Sequence, residues 1–198
     1  MIKGIVTKQS NFLPWPTLIG EEQANNGTAL WTKRPSEVTD EEANSFYRSV
    51  ATDFQDPAIR VHVSVDSPIQ YNALLFIPQE RPYDLFQPEA ERGPRLYAKR
   101  VLIEEHARGL MPDWLRFVRG VVDSEDIPLN VSREMVQKTP VIRKIRDALT
   151  RRVLKRLAEF AKADVPETSD EEEAVAPPTY DKFWTNFGVC LKEAYYHE

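Results

Sequence analysis

The chain has 198 residues, of which 41% are hydrophobic and 29% are charged, and its formal net charge is −5. This length supports one full-sized core, or one core plus an appended helical unit, and the composition is typical of a folded protein. The single cysteine excludes an intrachain disulfide, three scattered histidines give little support to a zinc site, and the negative charge disfavours nucleic acid as the main partner.

The sequence carries no signal for a membrane or for secretion. Its N-terminus lacks a sustained apolar segment, and no stretch approaches the roughly 20 apolar residues that a spanning helix needs. We therefore expect a cytoplasmic protein with no membrane partner.

The first part of the chain predicts a short connector, one strand and one helix. Residues 1–16 end in a stiff aromatic and proline-rich stretch, and Ala29–Thr32 has the composition of a strand. Thr39 followed by Glu42 forms a capping box, which predicts a helix that runs to about Ala51. The buried stripe of this helix is expected to contain Ala43, Phe46, Tyr47 and Val50.

Four segments between residues 61 and 122 have strand-like patterns. Val61–Val65 alternates strictly, and after a turn at Pro68 the apolar run Tyr71–Ile77 predicts the second strand of a hairpin. Arg95–Ile103 and Phe117–Val122 are expected to be two further strands. Strands separated by helices predict a layered α-β-α domain, and the hairpin makes its sheet mixed.

From Thr139 onward the sequence predicts two helices. Thr139 and Pro140 suit an N-cap and the first helical position, and an apolar seam then recurs at spacings of three and four over roughly 20 residues. The seam consists of Ile142, Ile145, Leu149, Val153, Leu157 and Phe160, and the opposite face carries Arg143, Lys144, Arg146, Arg151, Arg152, Lys155 and Arg156. The acidic segment 164–178 predicts a loop, and Tyr180–Tyr196 predicts a second helix.

The most informative stretch follows the last predicted strand. Ser132 is placed as a helix N-cap, with Arg133 in the first turn and Gln137 four residues later on the same face. A guanidinium and an amide at such a junction suit the binding of a phosphate or a carboxylate. Asn130 adds a further polar group, and Ile127 and Leu129 are expected to form an exposed apolar rim.

The remaining sequence contains no other recognisable catalytic machinery. There is no phosphate-binding glycine loop, no nucleophile motif and no carboxylate pair that stands out. Two interpretations of Arg133 stay open on residue chemistry alone. It either pairs with a surface carboxylate in a purely structural role, or it belongs to a docking surface for a partner domain that carries a polyanion.

The segment Asp123–Glu134 (DSEDIPLNVSRE) resembles the middle-domain signature of the 90-kDa heat-shock chaperone family in its bacterial form. Motifs along the rest of the chain resemble the same family in the same order. They are Ser10–Phe12, Ala29–Thr32, Leu74–Pro78, Tyr83–Phe86, Leu96–Val101, Met111–Val118 and Phe183–Gly188.

This resemblance implies a middle-domain segment of a longer protein. Its expected parts are the connector 1–16, a larger α/β subdomain at 17–138 with the catalytic loop 123–137, and a helical coil at 139–198 with the acidic loop 164–178. The amino-terminal domain that binds ATP and Mg²⁺, and a carboxy-terminal dimerisation domain, are expected to lie outside this chain. The chain alone is therefore expected to bind no cofactor, to be inactive as an ATPase and to be monomeric, whereas the full-length protein is expected to be a homodimer.

The resemblance also assigns roles to individual residues. Arg133 is expected to reach the γ-phosphate of ATP, and Asn130 and Gln137 are expected to support its loop. Leu102, Ile127 and Leu129 are expected to lie where the two domains dock, and Leu102 replaces a phenylalanine often found there. Expected partners are the chain's own ATP-binding domain, unfolded client proteins and a 70-kDa heat-shock chaperone. The alternative is a non-catalytic interaction module in which Arg133 is structural.

Overall fold

The computed structural model describes residues 4–5, 9–87, 90, 92–127, 139–163 and 178–197. Two short strands, β1 and β2, pair with each other, and the other five strands form one sheet. The elements are β1 (Leu18–Ile19), β2 (Glu22–Gln23), α1 (Asp40–Ala51), β3 (Pro57–Val65), β4 (Tyr71–Pro78), β5 (Arg95–Ala98), β6 (Val101–Glu104), β7 (Arg119–Ser124), α2 (Pro140–Ala163) and α3 (Tyr180–His197).

The five-stranded sheet has the order β3-β4-β7-β5-β6 and is mixed. Strands β3 and β4 form the predicted antiparallel hairpin, with Val61 opposite Leu75. Strand β7 pairs antiparallel with β4 and parallel with β5, so it lies in the middle of the sheet. This position surrounds its backbone with protein on both sides, which makes β7 a rigid base for the loop that follows it.

Helix α1 begins and ends as its sequence predicts. The Glu42 amide donates to Thr39 Oγ1 at 3.2 Å, and the Thr39 amide donates back to the Glu42 carboxylate at 3.1 Å. Ala43 and Tyr47 are fully buried, while Phe46 and Val50 are partly buried against the same core, which confirms the predicted stripe.

Alternate residues of the strands build two separate cores, because successive side chains of a strand point to opposite faces. We call the first the α1-side core. Its members are Ala29, Leu30, Trp31, Val38, Ala43, Tyr47, Leu74, Phe76, Tyr97, Leu102 and Val121. The second is the α2–α3-side core, which includes Ile59, Val61, Val63, Ala73, Leu75, Ile77, Val122, Ile127, Ile142, Ile145, Leu149, Val153, Leu157, Phe183 and Phe187. The predicted layered α-β-α architecture is therefore confirmed.

Helices α2 and α3 cover one face of the sheet together. The Ile142 amide donates to Thr139 Oγ1 at 3.4 Å, as expected for the predicted cap. The apolar seam of α2 is buried except for the half-buried Phe160, and every basic residue of its other face is exposed. None of the helices in the described ranges combines the length and apolar character needed to cross a membrane.

Two predicted strands are wrong. Ala29–Thr32 ends in a 3-10 turn at Leu30–Thr32, in which the Thr32 amide and hydroxyl both donate to Ala29 O. Arg95–Ile103 is two strands, because the chain reverses at Lys99 and Arg100 with φ angles of 50° and 65°. A two-residue turn of this kind usually carries Asn-Gly. The Lys-Arg pair found here therefore did not indicate a turn in the sequence.

Candidate functional site

The residues predicted to carry chemistry are in the segment between β7 and α2. Asn130, Arg133, Gln137 and Leu129 lie outside the described residues, whereas both flanks of their segment are described. Ile127 on one flank and Ile142 on the other are 2% and 1% exposed, and both belong to the α2–α3-side core. The two flanks of the predicted loop are therefore anchored in the same core.

Asp123 connects the end of β7 to two distant parts of the chain. Its Oδ2 accepts a hydrogen bond from Trp31 Nε1 at 2.9 Å, and its Oδ1 accepts one from the Arg100 amide at 3.2 Å. The side chain lies on the same face of β7 as Val121 and is 5% exposed as a residue. Asp123 thus joins the 3-10 turn, the β5–β6 turn and the start of the predicted loop.

Burial and hydrogen bonding act on Asp123 in opposite directions. Burial raises the pKa of its carboxyl group above the usual value for aspartate, and the Trp31 and Arg100 hydrogen bonds counteract part of that rise. A buried carboxylate with two donors is an expensive group to retain for packing alone. Its geometry identifies Asp123 as a positioning residue for the segment that follows.

The residues just after Asp123 are fixed to the turn between β3 and β4. Ser124 Oγ donates to Gln70 O at 2.7 Å, and the Gln70 amide donates to Asp126 Oδ2 at 2.8 Å. The Asp126 amide in turn donates to Ser124 Oγ at 3.3 Å. This ring of hydrogen bonds determines the direction in which the chain leaves the sheet.

Two cations lie next to this exit. Lys99 is exposed and Arg100 is half-buried, and neither side chain has a hydrogen bond or an ion pair with the described parts of the chain. Both border a cavity of about 490 Å³ that also touches Trp15, Asp123 and Glu125. Free cationic side chains in such a cavity attract anions, although the two carboxylates reduce the positive potential.

The structure does not bring Leu102 and Ile127 together on a surface. Leu102 is 6% exposed in the α1-side core, and Ile127 is 2% exposed in the α2–α3-side core. The prediction that Ile127 is an exposed rim residue is wrong, because its side chain anchors the exit from β7. A docking role for these two residues stays a prediction.

Sequence reasoning missed the residues that build this framework. The predicted strand ends at Val122, yet Asp123 and Ser124 are buried members of β7. The only available signal was alternation, since Asp123 lies two positions after Val121 and therefore on the same face. No group of three or more His, Cys, Asp or Glu residues in the described ranges could hold a metal ion.

Comparison with known proteins relates nearly the whole chain to one protein family. It matches the family model described as "Hsp90 protein" over residues 2–198. It is 44% identical over 194 residues to the chaperone protein HtpG of Chlorobaculum tepidum, covering 96% of this chain and 29% of that protein. The corresponding protein of Rhizobium meliloti is 42% identical over 203 residues, with 100% and 30% covered.

A third relative gives a similar match. Chaperone protein HtpG of Escherichia coli O139:H28 is 40% identical over 204 residues, with 97% of this chain and 31% of that protein covered. The chain thus spans about 30% of the length of the curated relatives that it matches.

Proposed function

Because the chain belongs to the Hsp90 protein family, we propose that it is the middle segment of an ATP-dependent molecular chaperone. In this proposal ATP and Mg²⁺ are held by a separate amino-terminal domain, and client polypeptides and a second subunit bind the full-length protein. The chain contributes the loop that carries Arg133, with Asn130 and Gln137 as its supports.

Arg133 has a defined electrostatic task in this proposal. Negative charge increases on the γ-phosphoryl oxygens as the terminal phosphate separates, and a fixed guanidinium stabilises that charge. The arginine acts only when the two domains close on each other, so closure controls turnover. Lys99 and Arg100, which border the cavity beside the end of β7, add positive potential there.

The observation that carries this proposal is the double anchoring of the loop. A transition-state contact requires a side chain whose base does not move by more than a fraction of an ångström. Here Ile127 and Ile142 fix the two flanks in one core, and the Asp123 hydrogen bonds hold the exit from β7. A surface loop with a purely structural arginine has no need of such a buried polar framework.

The experiment is Arg133→Ala in the full-length protein, with ATP hydrolysis and nucleotide affinity both measured. We expect turnover to fall by roughly one to three orders of magnitude, with little change in the dissociation constant of ATP. Arg143→Gln on the exposed face of α2 is the matched control, because it also removes one positive charge. Near-normal turnover in Arg133→Ala would support the non-catalytic alternative instead.

A second arm tests whether a separate domain supplies the nucleotide site. The 198-residue chain alone is expected to show no tight ATP binding by calorimetry, because its sequence contains no phosphate-binding loop. Tight binding to the isolated chain would contradict the proposed division of the ATPase between two domains.

A further inference from the structure

A second cavity lies at the opposite end of β7, where the strand begins. Its volume is about 630 Å³, and it is walled by the C-terminal end of α1, the segment after β4 and the start of β5. Arg119 and Gly120 of β7 form part of its lining. A cavity of this size accommodates a small organic molecule.

Arg119 is the central cation of this cavity. Its Nη1 donates to the main-chain oxygens of Arg116 at 2.7 Å and of Val118 at 3.4 Å. Its Nε and Nη2 have no hydrogen-bond partner, and the guanidinium has no salt bridge, within the described part of the chain. Burial lowers the pKa of Arg119, while the negative charge of Asp84 raises it by a smaller amount. Arg119 therefore retains donors that no described group uses.

Arg95 supplies a second guanidinium on the same face of the sheet. Strands β5 and β7 run parallel with Arg95 beside Val121, which places Arg119 two residues earlier on the neighbouring strand. The Nη2 atom of Arg95 donates to Val50 O at 3.3 Å, and its side chain forms no salt bridge in the ranges described. Arg95 therefore adds a second positive group to the lining, on the face of the sheet that also carries Arg119.

Most carboxylates that line the cavity are already engaged elsewhere. Asp53 accepts from the Tyr47 hydroxyl at 2.6 Å and from the Gln55 amide at 3.1 Å. Glu80 pairs with Lys182 at 2.6 Å, and Glu105 also has a partner. Asp84 is the exception, because it lies near enough to influence Arg119 but forms no ion pair with it. The unused hydrogen-bonding capacity of the cavity is therefore mainly that of donors.

We propose that this cavity is a binding site for a small anion that carries phosphate or carboxylate groups, with Arg119 as the primary contact and Arg95 as the second. A guanidinium with two free N–H directions matches the paired oxygens of either group. The site is separate from the Arg133 loop and independent of its proposed role, because the two lie at opposite ends of β7.

The test uses the chain in heteronuclear NMR titrations at constant ionic strength, with inorganic phosphate in one arm and citrate in the other. We expect saturable shifts of the Gly93, Gly120 and Thr52 amides, and the tighter of the two anions identifies the preferred chemistry. Arg119→Gln is expected to weaken binding by about 10-fold or more, and Arg143→Gln, an exposed arginine on α2, to change it by less than about twofold.

Asp84→Asn gives an independent readout if Arg119→Gln fails to fold. Removing this carboxylate is expected to tighten binding by roughly threefold or more, because the negative charge that acts on Arg119 and competes with the ligand is then absent. Equal weakening by Arg119→Gln and Arg143→Gln would reveal only general charge attraction and overturn the site. So would unsaturated shifts up to about 20 mM of both anions, or an unchanged affinity in Asp84→Asn.

Discussion

The two faces of the sheet differ in where their polar contacts lie. The α1-side core is rich in rings: Phe12, Trp31, Phe46, Tyr47, Phe76 and Tyr97 contact one another with centroid distances between 4.6 and 6.4 Å. It also contains the buried Trp31–Asp123 hydrogen bond. The α2–α3-side core is aliphatic along α2 and aromatic against α3, where Phe117, Phe183 and Phe187 contact one another with centroid distances between 4.6 and 5.9 Å. Its Arg116–Glu193 pair lies at the rim.

This difference separates positioning from stability. Directional hydrogen bonds and ring contacts on the α1 side determine where the 3-10 turn, the β5–β6 turn and the end of β7 lie relative to one another. The α2–α3-side core buries more side chains, mostly through apolar contacts, so it contributes mostly free energy of folding. The start of the predicted Arg133 loop contacts both faces of the sheet. Asp123 hydrogen-bonds to Trp31 on the α1 side, and Ile127 packs in the α2–α3-side core.

The largest expected effect is at Gly120, where the two faces share the backbone of β7. A Cβ added there would lie 2.2 Å from Leu74 O and 2.8 Å from Leu75 Cα, at a φ of +127°. We expect Gly120→Ala to cost more than about 4 kcal/mol and to remove the cooperative thermal transition seen by circular dichroism. Gly20→Ala is the control: its φ is +66° but no atom lies within 4 Å, so it should cost only about 1 kcal/mol. A cooperative Gly120→Ala protein would contradict the close approach of β7 and β4.

The second prediction tests the α2–α3-side core through the apolar seam of α2. Leu149 is fully buried in α2, and Leu149→Ala is expected to lower the free energy of unfolding by about 2 to 5 kcal/mol in urea titrations. Leu154→Ala on the same helix is the matched control, because Leu154 is 41% exposed and should cost much less. Equal losses for the two variants would mean that α2 does not pack through its predicted seam.

Elements that depend on local sequence signals were predictable. The Thr39 capping box, the β3–β4 hairpin and the seam of α2 each follow from residues within one turn or a few positions, and the structure confirms them. The polar framework of the candidate site was not predictable. Trp31 and Asp123 are 92 residues apart. Neither the strand-like composition of Ala29–Thr32 nor the polar residues that begin at Asp123 indicate that the two side chains meet.

The two wrong strands have a common cause. Lys99 and Arg100 adopt left-handed backbone angles because the chain must reverse between β5 and β6, and the Asp123 carboxylate accepts the Arg100 amide at that point. Trp31 leaves an extended conformation because its indole reaches the same carboxylate. In both places a long-range partner overrides local propensity, which single-sequence patterns cannot represent.

The third prediction tests the positioning side through pH. Trp31→Phe keeps a ring but removes the donor to Asp123 Oδ2, which should cost about 1 to 3 kcal/mol at neutral pH. Burial raises the pKa of Asp123 in the folded state above its value in the unfolded state. Ionising this carboxyl group therefore lowers the free energy of unfolding. This loss is absent at low pH and increases as the pH rises through the folded-state pKa. The lost donor favoured the ionised form. The deficit of Trp31→Phe relative to wild type should therefore shrink as the pH falls below that pKa.

Urea titrations of both proteins over the range from neutral to mildly acidic pH measure this deficit. A deficit that stays constant would mean that the cost of Trp31→Phe comes from ring packing alone. It would then remove the argument that the Trp31–Asp123 bond supports an ionised carboxylate at the base of the loop.

The smallest expected effects compare one ion pair from each side of the sheet. Arg116 is almost buried and contacts Glu193 with both terminal nitrogens, at 2.5 and 2.6 Å. Glu193→Gln should cost about 1 to 2 kcal/mol, because the arginine keeps its burial but loses its counter-charge. The α1-side pair Arg48–Asp56 is 49% and 43% exposed, so Asp56→Asn should cost less than about 1 kcal/mol and lose its effect in salt. A larger loss for Asp56→Asn than for Glu193→Gln would contradict the view that Arg116–Glu193 is the stronger of the two ion pairs.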